Sequence, residues 1–159
     1  MLMNLSEVLW RERHLLELLV FKLEEEQLII TSGRTRWLSH ATREVENVLD
    51  EIRAADLGRA IEADEAAVML GLEPGCSLNT LASAAPAPWD ELLRAHRDAF
   101  CSLTAEIASL GAGNRDLLAI SHKAAQEALA GLQKSVMTYD DSGQSAAQTA
   151  VAQLVDRAM

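Results

Sequence analysis

The sequence is poor in the residues that build disulfide scaffolds and β-sandwiches. Its 159 residues include two cysteines, three prolines and eight glycines, and only 4% are aromatic. Two cysteines outside any CxxC pair cannot define a disulfide framework. Few glycines and prolines also leave few of the turns that a multistranded sandwich requires. The composition therefore favours a reduced, helical protein of one ordinary domain.

Basic residues are scarce as well. Lys and Arg number 14 against 24 Asp and Glu, which gives a formal net charge of −10. A protein that binds DNA or RNA without sequence preference needs clustered cations to neutralise phosphates. An anionic membrane surface would also repel such a chain. The charge balance thus argues against nucleic acid as a partner and against docking on a membrane surface.

Long apolar runs and targeting signals are missing too. The longest apolar stretch, residues 15–21, is interrupted by Glu17. It is far shorter than the roughly 20 residues that a membrane span needs. The first 12 residues lack the basic region, apolar stretch and cleavage site of a secretory signal. We therefore expect a cytoplasmic protein without stable membrane insertion.

Helical periodicity is what the sequence does have. Residues 5–32 predict a first helix, which Asn4 could cap together with Glu7, and Gly33 offers a stop. A second helix is predicted from about Thr35, with apolar residues stepping by 3 and 4 as in a coiled coil. The first stripe is Leu5, Leu9, Leu16, Leu19, Leu23 and Ile30; the second is Leu38, Ala41, Val45, Val48, Ile52 and Ala55, and Leu57, Ile61, Val68 and Leu70 continue the helical pattern toward Leu72.

The third long segment has the clearest periodicity. From Trp89 to Ala128, seam positions step alternately by 4 and 3, and one further step of 4 reaches Leu132. Gly111 and Gly113 would each cost about 1 kcal/mol relative to Ala inside a helix, yet the register continues through them. We therefore predict one helix of about 50 residues, with a turn at 111–113 as the alternative. The seam is Trp89, Leu93, His96, Phe100, Leu103, Ile107, Leu110, Asn114, Leu117, Ser121, Ala124, Ala128 and Leu132.

A connector and a tail complete the chain. Ser77 can cap a short helical turn over residues 78–82, before a proline-containing break at 85–88. After residue 138 the chain becomes polar and is predicted to be a flexible tail, 139–159, with a short amphipathic terminal segment. The expected fold is all-α. It is an elongated antiparallel bundle or coiled coil of three long helices with a short helical connector, in one domain spanning residues 1–138.

No catalytic or metal-binding constellation is evident. Gly111-Ala112-Gly113 lacks the preceding strand and third glycine of a phosphate-binding loop. His96 and Cys101 are five residues apart, which is not the usual spacing of zinc ligands on a helix, and His96 is expected to be a hydrogen-bonded packing residue. Cys76 has no basic neighbour in the sequence to activate its thiol. We therefore predict no enzymatic activity, no cofactor and no metal.

Apolar residues nevertheless exceed what a single seam needs. Residues 15–21 surround Glu17 with leucine, valine and phenylalanine. Such a belt indicates either a helix packed between two neighbours or a groove open to an amphipathic partner helix. The third helix carries further apolar residues toward an end that shorter helices need not cover, and an uncovered apolar patch usually marks an interaction site. These residues are Leu129, Leu132, Val136 and Met137.

The order of these features resembles the FlgN family, the flagellar type III export chaperones of the hook-associated proteins that join hook to filament. The resemblance rests on the leucine-rich first helix and the acidic heptad second helix. It also rests on the connector Leu-Glu-Pro-Gly-Cys-Ser-Leu-Asn-Thr-Leu at 72–81 and on Asn-Arg-Asp-Leu-Leu at 114–118. The tail looks similar as well, with Thr138-Tyr139, Gly143 and Leu-Val-Asp-Arg-Ala at 154–158.

The resemblance implies a cytoplasmic chaperone without a nucleotide requirement, which holds hook-associated proteins and delivers them to the flagellar export apparatus. It also implies that the end of the long helix and the tail contact the client. Core packing and an unstructured tail are the alternatives for these positions. The competing functions are a homodimerising coiled-coil adaptor and a small regulatory binding protein. The chaperone and both alternatives are compatible with a homo-oligomer. The implied client-contact residues are Leu129, Leu132, Val136, Met137, Val151, Leu154 and Val155.

Overall fold

The computed structural model describes residues 1–140, and within them the secondary structure is entirely helical. A short 3-10 turn, Thr35–Trp37, precedes the second long helix. The chain divides into two units, Met1–Leu117 and Leu118–Met159. The all-α prediction is confirmed, whereas the predicted domain boundary at residue 138 stays a prediction. The helices are α1 (Leu2–Thr31), α2 (Leu38–Met69), α3 (Leu78–Ala84) and α4 (Trp89–Asp140).

The predicted start of α1 is wrong, whereas its predicted end is confirmed. The helix is capped at Met1 without a side-chain hydrogen bond, so Asn4 lies inside the first turn and caps nothing. Leucine and methionine are good helix formers, and they extend the helix beyond the polar pair. At the other end Gly33 has a φ of +69°. Glycine adopts this left-handed conformation without steric cost, which ends the helix there.

Helices α1 and α2 pack as an antiparallel hairpin. The N-terminal leucines of α1, Leu5 and Leu9, share a buried cluster with alanines near the C-terminus of α2. Toward the other end, Leu19 and Leu23 of α1 pack with Val45 and Val48 of α2. Most of the predicted stripe residues of α1 are therefore core residues. The antiparallel arrangement expected from the sequence is confirmed for this pair.

Within the unit Met1–Leu117, α4 runs parallel to α1 and antiparallel to α2. Leu93, near the start of α4, is fully buried in the cluster of Leu5 and Leu9. Further along, Ile107 and Leu110 pack against the cluster that contains Leu19 and Leu23. The core of this unit is thus built from α1, α2 and α4, with two buried residues of α3 added at one end.

The connector folds as predicted, with a slightly longer helix. The Ser77 hydroxyl accepts a hydrogen bond from the Thr80 amide at 3.1 Å, which is the predicted cap of α3. Leu81 and Ala82 are then placed in the buried cluster at the N-terminal end of α1. The following prolines end α3 before α4 begins.

Helix α4 continues through its two glycines. It is one helix of 52 residues, so the predicted uninterrupted helix is confirmed and the turn at 111–113 is wrong. The seam residues on either side of Gly111 and Gly113 explain this continuity. Leu110 packs against the α1–α2 core and Asn114 is hydrogen-bonded to α1. Contacts on both sides offset the low helix propensity of glycine.

In the C-terminal half of α2, several large apolar side chains are exposed rather than buried in the core. Leu57 is 70% exposed, Ile61 is 61% exposed and Val68 is 63% exposed. Continuing the 3-4 step from Ala55 leads instead to Arg59 and Glu62, and then to Ala66, which is buried in the core beside Ala67. The seam therefore keeps its phase through an arginine and a glutamate, and the larger apolar side chains lie on another face of α2.

Candidate protein-binding surface

The seam of α4 is covered along its first half and open along its second. Every predicted seam position from Trp89 to Leu117 is buried or half-buried. The same stripe continues through Ser121, Ala124, Ala128 and Leu132, and all of these side chains are exposed. A heptad seam that continues without burial is an uncovered helix-packing surface. We refer to these four residues, Ser121, Ala124, Ala128 and Leu132, as the open seam.

A buried polar layer lies at the last fully buried position of α4 among the described residues. Asn114 is 2% exposed. Its amide nitrogen donates to the Leu23 carbonyl at 2.9 Å and to the Glu26 carboxylate at 3.2 Å. Glu26, itself 7% exposed, accepts a second hydrogen bond from the Thr42 hydroxyl at 3.0 Å. One connected group thus joins α1, α2 and α4.

This polar layer fixes the alignment of the three helices. Buried polar groups that lose their partners cost about 1–3 kcal/mol each, so a shift of α4 by one turn would leave both the amide and the carboxylate unsatisfied. Asn114 was predicted only as a seam position. Its partners could not be predicted from the sequence, because Glu26 and Thr42 lie on other helices.

The structure brings three of the predicted client-contact residues to one face. Leu129, Leu132 and Val136 are spaced i, i+3, i+7, so their side chains lie along one side of α4. Leu132 is 49% exposed, and the other two are half-buried. Met137 is 74% exposed but lies roughly 100° around the helix from Val136. The predicted tail contacts, Val151, Leu154 and Val155, lie outside the described residues.

The apolar belt of α1 is explained mainly by packing on two sides. Leu15 and Leu19 are buried, and α1 contacts both α2 and α4 through its core residues. The interpretation that this helix packs between two neighbours is therefore confirmed. Leu18 and Phe21 remain exposed on its outer side, and the Lys22 ammonium lies 5.5 Å from the centre of the Phe21 ring.

His96 is buried in the core without the hydrogen bond that we predicted for it. Its side chain is 1% exposed, and neither ring nitrogen has a hydrogen-bond partner among the described residues. The ring packs edge-on against Trp10, with centroids 4.8 Å apart. Burial lowers the pKa of His96 from its ordinary value of 6.5, and the positive charge of Arg13 lowers it further. His96 is therefore a neutral packing residue.

This burial predicts a pH-dependent stability. The unfolded chain binds a proton on His96 below about pH 6.5, whereas burial disfavours this protonation in the folded chain. Acidification therefore lowers the free energy of unfolding. We expect His96→Leu to reduce the loss of stability between about pH 7.5 and about pH 5.5, measured by urea denaturation. His122→Gln, at an exposed position, is the matched control and should keep the wild-type slope. A wild-type slope in the His96 variant would contradict the assignment.

An ion pair missed by sequence reasoning sits where the α2 seam carries arginine. The Arg59 Nε lies 2.8 Å from Glu12 Oε2, although the two groups are not aligned for a hydrogen bond. Glu12 is 8% exposed. Burial raises the pKa of Glu12, and the Arg59 charge opposes that rise. The arrangement lets α2 keep its seam phase with a charged residue near the core.

Within residues 1–140, no group of three His, Cys, Asp or Glu side chains is placed to hold a metal ion. No helix in that part of the chain is long and apolar enough to cross a membrane. Both cysteines are free thiols; Cys76 is half-buried and Cys101 is exposed.

A protein-family model matches most of this chain. The family model described as FlgN protein matches residues 1–147. Neither the curated proteins nor the solved structures contain a match to the chain. The matched range includes all four described helices.

Proposed function

Because this chain belongs to the FlgN family, a family of flagellar export chaperones, we propose that it binds hook-associated proteins in the cytoplasm and delivers them to the flagellar export apparatus. The observation that supports this client assignment best is the open seam of α4. A chaperone of this kind must offer apolar surface to a segment of another chain, and the open seam offers such surface on a regular helix.

We infer that the client contributes an amphipathic terminal segment. Such a segment, disordered alone, could pack its apolar side chains against Leu129, Leu132 and Val136. Burial contributes about 25 cal/mol per Å² of apolar surface, and the cost of ordering the segment offsets part of it. The result is binding that is specific yet reversible, as release into an export channel requires.

The small side chains of the open seam suit a helical client. Ser121, Ala124 and Ala128 occupy the positions that larger seam residues fill in the covered half. A partner helix can lie closer to α4 over these residues than over leucine. Farther along, Leu132 and Val136 supply the larger apolar contacts that commonly dominate binding energy. No step of this proposal requires a bond to be made or broken.

A homodimerising adaptor would use the same open seam differently, by pairing it with a second copy. Light scattering with and without a purified hook-associated protein separates the two functions. The adaptor forms no complex with the client, whereas the chaperone forms a mixed complex through the open seam.

Removing residues 140–159 tests the tail contribution directly. We expect the shortened chain to remain helical, because the packed core lies within Met1–Leu117. We expect its affinity for a hook-associated protein to fall about tenfold or more through loss of Val151, Leu154 and Val155. Isothermal titration calorimetry measures the affinity. Unchanged affinity would remove the tail from the proposal, and no binding by either chain would overturn the client assignment.

A further inference from the structure

The outward face of α2 carries an exposed apolar row that the bundle does not use. Leu57 is 70% exposed and Ile61 is 61% exposed. Leu57 lies roughly 180° around the helix from Ala66, which is fully buried in the core. Val68 and Met69, also exposed, line an apolar groove nearby. Two large aliphatic side chains directly opposite the core are unusual on a helix whose other face is fully packed.

Charged residues extend this row at both ends. Arg53, Leu57, Ile61 and Glu65 recur at intervals of four residues. Residues four apart form one ridge on a helix surface, inclined to its axis. We refer to these four residues as the α2 ridge. Its centre is apolar, its N-terminal end is positive and its C-terminal end is negative.

We propose that two copies of this chain associate through the α2 ridge, with the two α2 helices antiparallel about a two-fold axis near residue 59. In this arrangement Leu57 lies opposite Ile61 of the second copy, and Arg53 lies opposite Glu65 of the second copy. The two-fold axis repeats each contact, so one ridge supplies two apolar contacts and two ion pairs. A parallel arrangement would place Arg53 against Arg53 and is disfavoured.

The charge pattern identifies a second copy as the occupant. A ridge with one sign of charge would call for a partner of the opposite sign, whereas this ridge is complementary to itself when inverted. Arg53 now pairs with Asp50 on its own helix at 2.6 Å, with both side chains 72% exposed. Exposed pairs of this kind contribute little, so exchanging Asp50 for Glu65 of the second copy costs little. The ridge includes no residue of α4, and the inference is independent of client binding.

Sedimentation velocity on the full chain without a client tests the ridge. We expect a monomer–dimer equilibrium that shifts toward dimer as the protein concentration is raised from about 1 to about 200 μM. Arg53→Glu and Glu65→Arg should each raise the dissociation constant at least about tenfold, since each change places like charges together twice. The double variant, Arg53→Glu with Glu65→Arg, should restore dimerisation because it exchanges the two charges.

Two further variants separate the ridge from other surfaces. Leu57→Asp should abolish the dimer, while the circular dichroism spectrum and the melting temperature measured at about 1 μM stay at wild-type values. Leu28→Asp, at a position 69% exposed on α1, should leave the dimer intact. A monomer at every concentration would overturn the proposal. So would a dimer that survives Leu57→Asp, or a charge-exchanged variant that fails to recover. Dimerisation only after removal of residues 141–159 would show that the tail, not a second copy, covers the ridge.

Discussion

Replacing Leu132 and Val136 with aspartate is expected to weaken binding of a hook-associated protein at least about 30-fold, with a melting temperature within about 2 °C of the wild type. Leu132 lies on the open seam and Val136 lies one turn beyond it, and a client bound at these positions would desolvate the new carboxylates. In the free protein Leu132 is 49% exposed, so a charge there meets solvent. Calorimetry gives the affinity, and thermal unfolding followed by circular dichroism gives the stability.

Ile120→Asp is the matched control for this pair. Ile120 is 66% exposed on the same helix, but it lies roughly 120° around the helix from Leu132 and roughly 160° from Val136. The same charge at this position should leave client affinity near the wild-type value. If the seam variant lost stability and affinity together, Leu132 and Val136 would be core residues, and the proposed client surface would have to lie elsewhere.

Truncation of leucine at two positions of one seam should have very different consequences. Leu93→Ala is expected to lower the free energy of unfolding by about 2–5 kcal/mol, because Leu93 is fully buried and its loss leaves a cavity. Leu132→Ala, the same substitution farther along α4, should change it by no more than about 0.5 kcal/mol. Urea denaturation at neutral pH measures both values.

The main prediction is the difference between the losses of unfolding free energy caused by Leu93→Ala and by Leu132→Ala. It follows from the change along α4 from a covered to an open seam. Similar losses at both positions would mean that Leu132 is packed in solution as Leu93 is. A small loss at Leu93 would place the core of the unit Met1–Leu117 elsewhere.

Periodicity predicted the helices well because it is a local property. The alternating steps of 3 and 4 through Gly111 and Gly113 predicted a continuous α4, and the structure has one helix there. Helix ends were less predictable. The polar pair at Asn4 suggested a start that the flanking leucine and methionine override. The difference in length between the first and last helices, 30 against 52 residues, was foreseeable and is the signal for an open seam.

The phase of α2 could not be derived from its apolar residues. Leu57 and Ile61 look like core candidates, but the core continues through Arg59, which is accommodated by Glu12 of α1. That partner lies 47 residues earlier in the chain, and no local pattern connects the two. The same is true of Glu26 and Asn114, whose pairing depends on the packing of helices distant in sequence. Long-range polar pairs are therefore what sequence reasoning missed.

Hydrogen exchange of the full chain, with and without a bound hook-associated protein, tests the central claim most directly. The backbone of residues 118–137 is predicted to exchange faster than the rest of α4 in the free protein, because the open seam lies within this part of the helix. Client binding should slow exchange there strongly and should change α1 and α2 little. Protection confined to α1 and α2, with residues 118–137 unaffected by a client at saturating concentration, would contradict the account.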